Sequence, residues 1–309
     1  MRDWSTQIFE KGKNAMRISL ALFITIFLCA CTTPQLFDGT RAHQHVIAQM
    51  NLGARPTGST ANRATGDYIL ARLIESGWRT ETQEFAYRGV AVRNIIGKRA
   101  QGRGAPILIG AHYDTRPRAD QDKTNPNAPV PGANDGASGV AVLLELARVL
   151  DEAKLKNEVW LVFFDAEDNG ELNACALVPA PCDTTPWTWS VGAEYFAAHL
   201  RAQPHAVVIV DMIGDADQNI YYERTSDPAL QDELWKIAAR LGYTRQFIAE
   251  PKWALWDDHT PFLARNIRAA VLIDFDYPYW HTTQDTLDKV SGASLERVGR
   301  VLQVWLEGK

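Results

Sequence analysis

The sequence predicts an α/β fold, a single-domain three-layer α/β/α sandwich with a mostly parallel central sheet, and three observations carry that expectation. First, five short and nearly unbroken apolar runs recur along the chain: VRNIIGK, PILIGAH, EVWLVFFD, AVVIVDM and AAVLIDF. Bounded by Gly, Pro or charged residues, such runs suit central strands covered on both faces. Second, helical patterns lie between them. Ser59 is placed to cap a helix whose apolar face includes Tyr68, Ile69, Leu73 and Ile74 and which ends at Gly77. The clearest helical stretches are SGVAVLLELARVL and the final SLERVGRVLQVWL, in which Leu295, Val298, Leu302, Trp305 and Leu306 fall at helical spacing. Third, 309 residues with 46% hydrophobic content are enough to bury one large core. Strands alternating with helices then imply a sheet sandwiched between helical layers.

Composition narrows the function. A net charge of −5 with no concentrated basic face excludes a general nucleic-acid binder. No internal repeat or low-complexity tract is evident, and no segment in the body of the chain approaches the roughly 18 to 20 apolar residues of a membrane span. The N-terminus differs. Lys11, Lys13 and Arg17 precede the apolar run ISLALFITIFL, which ends in Leu28-Cys29-Ala30-Cys31, the pattern of an export signal. Its last four residues resemble a bacterial lipobox, so residues 1–31 are expected to be a lipoprotein-type signal with Cys31 as the lipidated residue. An uncleaved membrane anchor is the competing expectation, and Met16 competes with Met1 as the start. Residues 32–44 are expected to be a linker and 45–309 the enzyme domain. The protein is expected to be exported and lipid-anchored to the cell envelope, on the periplasmic or outer-membrane side, and monomeric. In that oxidising setting Cys175 and Cys182 form either a small loop disulfide or a pair of free thiols. A C-x-x-C metal clip is absent.

The chemistry-bearing residues follow the strands. PILIGA runs into His112, VWLVFFDA into Glu167 and Asp168, AVVIV into Asp211, and AAVLIDF through DYPYW to His281; Asp135 lies in the Gly-rich turn PGANDGASG. In open α/β sheets, sites form beyond the carboxyl ends of the strands. Taken singly, a His after a strand is a packed or surface residue, an Asp in a Gly-rich turn is turn chemistry, and a carboxylate after a strand is a helix cap. Five such explanations at corresponding strand ends would be a coincidence. Two imidazoles with three carboxylates suit zinc, which takes nitrogen and oxygen ligands.

The segments GAHYDT, PGANDGASGV, FFDAED, VDMIG, WDDHTPF and WHTTQDT resemble, in order and spacing, the M28 metallopeptidase family. The resemblance runs from about residue 45 to the end and implies a zinc aminopeptidase-like fold. It also implies a di-zinc site, with His112 and Asp211 on one ion, Asp168 and His281 on the other, Asp135 bridging, and Glu167 as general base. This sequence has Asp168 where many members have Glu, which shortens the reach of that ligand.

The same scaffold serves the glutaminyl-peptide cyclotransferases, and their resemblance implies a single zinc held by Asp135, Asp168 and His281, with His112 and Asp211 then left behind the ion. FFDAEDNGEL with a Trp-containing loop and WSVGAEYFA looks like the bacterial cyclases. WDDHTPFLARNI resembles their DDH-x-PF segment, which would put Asp257 with Asp211 in the catalytic proton network, and Trp280 before His281 is cyclase-like. AAVLIDF offers no His where animal cyclases carry one, leaving that role to Asp274 or to nothing. A cyclase needs no water, and ring closure suits an aromatic-walled pocket; Trp189, Trp256 and Trp280 are the candidates to line it, against the alternative that they, like Trp187 and Trp253, only pack. The expected substrates are peptide or protein N-termini. Three functions follow: a zinc-dependent cyclase making pyroglutamate and ammonia, a di-zinc aminopeptidase, and a non-catalytic lipid-anchored binding protein. The last would be marked by loss of Glu167 or a ligand, and all are present.

Overall fold

The computed structural model describes residues 35–308, which belong to one compact unit. The expected signal, its Cys31 and most of the residues before the first helix lie outside them. Among the described residues, no helix is long and apolar enough to cross a membrane.

The chain enters through α1 (Gly39–Met50) and α2 (Thr60–Glu75). Asp38 caps α1 by accepting hydrogen bonds from the amides of Thr40 and Arg41, and Phe37 before it is buried. The fold therefore begins inside the 32–44 stretch expected to be a linker. The physical reason is this Asp cap followed by Ala42 and Val46 facing the core, a short amphipathic signal among polar residues. Ser59 caps α2, accepting from the Asn62 amide as its sequence position suggests.

The sheet strands and helices follow in turn: β1 (Arg79–Tyr87), β2 (Val90–Arg99), β3 (Ile107–His112), α3 (Ala137–Val149), β4 (Val159–Phe164), α4 (Val191–Ala198) and β5 (Ala206–Asp211). After these come β6 (Ile220–Tyr222), α5 (Pro228–Arg240), β7 (Phe247–Pro251), α6 (Thr260–Leu263), β8 (Ala269–Ile273) and α7 (Gly292–Glu307). Six strands form one sheet in the order β1-β2-β4-β3-β5-β8, and β6 with β7 forms a separate parallel pair. The central β4, β3, β5 and β8 run parallel, while β2 is antiparallel to β4 and β1 to β2. β1 is a polar edge strand, RTETQEFAY, and lacks the apolar run that marks the others.

Alternate side chains leave the sheet on opposite faces. Ile109, Phe163, Val208, Val210 and Leu272 pack with α1, α3, α5 and α7, while Leu108, Phe164, Val207, Ile209 and Val271 pack with α4 and α6. Both faces are thereby covered, which is why the central strands read as continuous apolar runs. Cys175 and Cys182 are joined in a disulfide in the long β4–α4 connection. The parallel arrangement brings the carboxyl ends of β3, β4, β5 and β8 to one rim.

Candidate active site

His112 is the last residue of β3 and Asp211 the last of β5. Glu167 and Asp168 follow β4, and His281 lies in the loop after β8. Asp135 precedes α3, whose first cap is Gly136 at φ +91°; a side chain there would strike the Asp114 carbonyl, so only glycine lets this turn close over β3. The ligand atoms fall into two groups, Asp135–Asp168–His281 and His112–Asp135–Asp211, each within 4.8 Å. His281 Nε2 lies 2.9 Å from Asp168 Oδ1 and 3.7 Å from Asp135 Oδ2. His112 Nε2 lies 3.1 Å from both Asp135 Oδ1 and Asp211 Oδ1.

These groups border a cleft of about 460 Å³ lined by Asp135, Glu167, Asp168, Asp211, Asp257 and His281 together with Trp189, Trp256, Phe275 and Trp280. Trp280 stacks on His281 at 3.9 Å between ring centroids, and Trp189 lies nearly parallel to His281 at 6.0 Å. Trp256 is 63% exposed at the rim. The other two tryptophans pack instead: Trp187 is buried against Tyr87, and Trp253 sits edge-on behind Phe275. His112 does not line the cleft but stands behind Asp135 and Asp211. Asp274 is fully buried away from the cleft, its oxygens accepting from the Asn219 and Asp276 amides, while its neighbours Ile273 and Phe275 face the cleft. It is therefore not placed to replace the histidine of the animal cyclases.

Backbone strain gathers at the same rim. Ala166, Ser190, Met212 and His281 all have φ between +44° and +61°, the left-handed region that side chains disfavour. Each is a site residue or adjoins one. Hydrogen bonds hold them in place. Asp114 Oδ1 accepts from the Glu167 amide at 3.1 Å and Oδ2 from the Asp168 amide at 3.2 Å. Asp285 accepts from the Asn134 and Asp135 amides and from Tyr277 Oη. Arg55, fully buried, donates to the carbonyls of Tyr113, Pro131 and Gly132 and so fixes the Asp135 turn. The Ser190 hydroxyl donates to Glu167 Oε1 at 3.2 Å. None of these four supports stands out in the sequence by its type. Asp114 and Asp285 lie inside the GAHYDT and WHTTQDT segments, a position that could have flagged them; Arg55 and Ser190 carry no comparable signal.

The electrostatics follow from burial and crowding. Burial pushes Glu167 well above the ordinary carboxyl range, and Asp168, Asp258 and Asp257 add to this against the pull of His112. Burial, then Asp211, raises Asp257 to about 7; burial, then Asp168, raises Asp135 to about 7 despite His112. For His281, burial opposes the charge, but Asp168, Asp120 and Asp135 outweigh it and raise the ring to about 9. This crowd of acids is what a cation would relieve. The donor set fits zinc on a direct observation: Asp135 Oδ2 and Asp168 Oδ2 are buried without a hydrogen-bond partner, both in the His281 group.

A mostly parallel sheet between helical layers, with carboxylates and imidazoles gathered at its strand ends, is the arrangement of a metal-dependent enzyme. Residues 94–306 match the model of peptidase family M28, and the chain belongs to that family. It is similar in structure to the glutaminyl cyclase of Bacteroides thetaiotaomicron solved with N-acetylhistamine, at a TM-score of 0.80 and 28% identity over 90% of this chain and all of that one (100%). A Zn-dependent exopeptidase of Parabacteroides distasonis gives a TM-score of 0.80 and 29% identity, again over 90% of this chain and 100% of the other. In sequence it is 26% identical to the glutaminyl-peptide cyclotransferase of Drosophila melanogaster over 81% of this chain and 76% of that protein.

The raised acids set a sign for stability. Asp135 and Asp257 hold protons up to about pH 7 in the folded chain, whereas their ordinary value is 3.8. The stability this contributes is complete at low pH and is lost as pH rises through 7. Chelator-treated protein is therefore expected to melt at progressively lower temperature between pH 5 and 7.5, while the rise in melting temperature on adding zinc grows over the same window. Scanning calorimetry at the two pH values checks this, and a melting temperature indifferent to zinc at pH 7.5 would refute it.

Proposed function

We propose that this enzyme converts the N-terminal glutamine of peptides into pyroglutamate with release of ammonia, using one zinc ion held by Asp135, Asp168 and His281. The strongest support is where the unpartnered oxygens lie. Each histidine already engages one carboxylate oxygen of its group, but the His281 group holds two buried oxygens with no hydrogen-bond partner, Asp135 Oδ2 and Asp168 Oδ2, whereas the His112 group shares Asp135 and its Asp211 adds none. The aromatic wall of Trp189, Trp256, Phe275 and Trp280 supports the same chemistry, since cyclisation needs a dry pocket and hydrolysis needs water.

Zinc, when bound, supplies Lewis-acid polarisation of the substrate's γ-carbonyl. The protein's own residues do the rest. The tryptophans hold the glutamine folded so that its α-amine nitrogen faces its γ-carbon. Glu167 takes a proton from that nitrogen as the new carbon–nitrogen bond forms. The bond to the carboxamide nitrogen then breaks, the same proton passes from Glu167 to the departing nitrogen, and ammonia leaves. The raised affinity of Glu167 for protons suits a group that must both accept and return one near neutral pH. Ser190 fixes its Oε1, and Asp211 and Asp257 face the same cleft as partners for the moving proton.

A second reading rests on the other ligand group. His112, Asp135 and Asp211 could take a second ion sharing Asp135, and two ions would favour a bound water as nucleophile and aminopeptidase activity. The proposal also extends to location. The charged, apolar and Cys31-ended pattern of residues 1–31 supports an exported protein tethered to the cell envelope by lipid on Cys31, and the Cys175–Cys182 disulfide suits such a compartment.

Purified protein is expected to release ammonia from Gln-peptides and no free amino acid from Leu- or Ala-peptides; the opposite pattern selects the aminopeptidase. Glu167→Gln is expected to bind zinc as the wild type does while turnover falls by about 10²-fold or more, read by elemental analysis beside the ammonia assay. Loss of zinc, or retained turnover, removes Glu167 from the proton-carrying role. For location, Cys31→Ser is expected to move the protein from the membrane fraction to the soluble one, and unchanged fractionation contradicts the lipid tether.

A further inference from the structure

Arg116 and Asp120 lie four residues apart in the loop that follows β3, outside the residues assigned above to metal or substrate. Arg116 is buried, with a side chain only 3% exposed. Its Nε donates to both Asp120 oxygens at 3.0 Å and its Nη2 to Oδ2 at 2.5 Å, a forked pairing that fixes the carboxylate in one orientation. Asp120 Oδ1 in turn lies 3.3 Å from Nδ1 of His281, the ring nitrogen opposite the one facing Asp168. The other arm of the guanidinium points elsewhere. Its Nη1 donates to the carbonyls of Asp168 and Gly170 at 3.0 and 3.1 Å, and its Cζ lies 4.8 Å from the centre of the Trp189 ring. Trp189 packs so closely on Gly170 that any side chain at 170 would overlap its ring. One guanidinium thus touches the backbone of one metal-ligand residue, the carboxylate behind another, and the wall of the cleft.

We propose that Arg116 and Asp120 are positioning residues that couple metal retention to the shape of the substrate pocket. Asp120 accepts the Nδ1 proton of His281, which fixes the tautomer and turns Nε2 toward Asp135 and Asp168. Arg116 holds Asp120 in that pose and, through Gly170 and Trp189, sets the height of the aromatic wall. The two residues therefore differ in reach: Asp120 acts on the metal side alone, Arg116 on both sides. This rests on the reading of Asp168 and His281 as zinc ligands, but not on which reaction the site performs.

The test uses the full zinc-loaded protein and reads zinc directly. Asp120→Asn and Asp120→Ala are expected to release zinc to a chromogenic chelator about 10 to 100 times faster than the wild type. KM should stay unchanged for whichever peptide the wild type turns over, glutaminyl or leucyl. Arg116→Ala is expected to speed zinc release by a similar factor and also to raise KM about two- to tenfold, from the loosened Trp189 wall. Arg116→Lys keeps a cation under Trp189 but loses the fork, so it should resemble the Asp120 variants. Melting temperatures separate positioning from mere packing: in the Asp120→Asn variant the zinc-loaded form should drop further than the chelated form, which loses only the Arg116 pairing. Should Arg116→Ala fail to fold, the half-exposed Asp120 still carries the test. Wild-type zinc release in both Asp120 variants, or an equal drop in melting temperature with and without zinc, overturns the proposal. If no peptide is turned over yet zinc release accelerates as stated, the reaction assignment fails while the metal-side positioning stands.

Discussion

The structure depends on a crowd of buried acids that cannot all be charged at once. Asp135, Glu167, Asp168, Asp211, Asp257 and Asp258 lie at one rim, each 9% exposed or less, with His112 and His281 among them and Arg55, Arg116 and His259 nearby to offset part of the charge. Burying a carboxylate costs free energy unless it is paired, and like charges raise that cost. The chain answers by holding protons on several of them, which is why Glu167, Asp135, Asp257 and Asp258 are all raised. A divalent cation answers the same problem with greater effect. The site's acid–base chemistry and its demand for metal are therefore consequences of one arrangement.

That arrangement is held by backbone more than by the acids themselves. Four residues, His281 itself and Ala166, Ser190 and Met212 beside site residues, sit in the left-handed region, a conformation that persists only where surrounding structure over-determines it. Here the surroundings are specific. Asp114 receives the Glu167 and Asp168 amides, Asp285 receives those of Asn134 and Asp135, and Arg55 donates to carbonyls of the same turn. Asn134 adds a tie across the rim, donating to the Met212 carbonyl and accepting from the Gly214 amide. Pieces from β3, β4, β5 and the β8–α7 connection are thus cross-linked before any metal binds, and the core beneath them supplies the rigidity.

Much of this was legible in the sequence, for physical reasons that can be stated. Strands covered on both faces must be apolar throughout, so five runs announced β2, β3, β4, β5 and β8, and the strand-end rule then put His112, Glu167, Asp168 and Asp211 at one rim. β1 escaped because an edge strand alternates polar and half-buried residues, and α1 because its core face is only Ala42, Val46 and Gln49 among polar neighbours. Within the site, residue type told which side chains could bind metal but not which would face the cleft. Trp187 and Trp189 are two residues apart, yet one is core and the other wall, a difference set by the loop's path. The supports were the least legible. Arg55, Asp114 and Asp285 act through backbone groups, and Ser190 through the Glu167 carboxylate, all of residues distant in sequence, and no spacing rule reveals such partners.

The central claim is that the His281 group, and not the His112 group, is where this crowd of acids takes its cation. Anomalous diffraction at the zinc edge from crystals of the zinc-loaded protein tests it most directly. One peak is predicted per chain, bounded by Asp135 Oδ2, an oxygen of Asp168 and His281 Nε2, with His112 still hydrogen-bonded to Asp211. Two peaks of comparable height bridged by Asp135, or a single peak against His112, would contradict it.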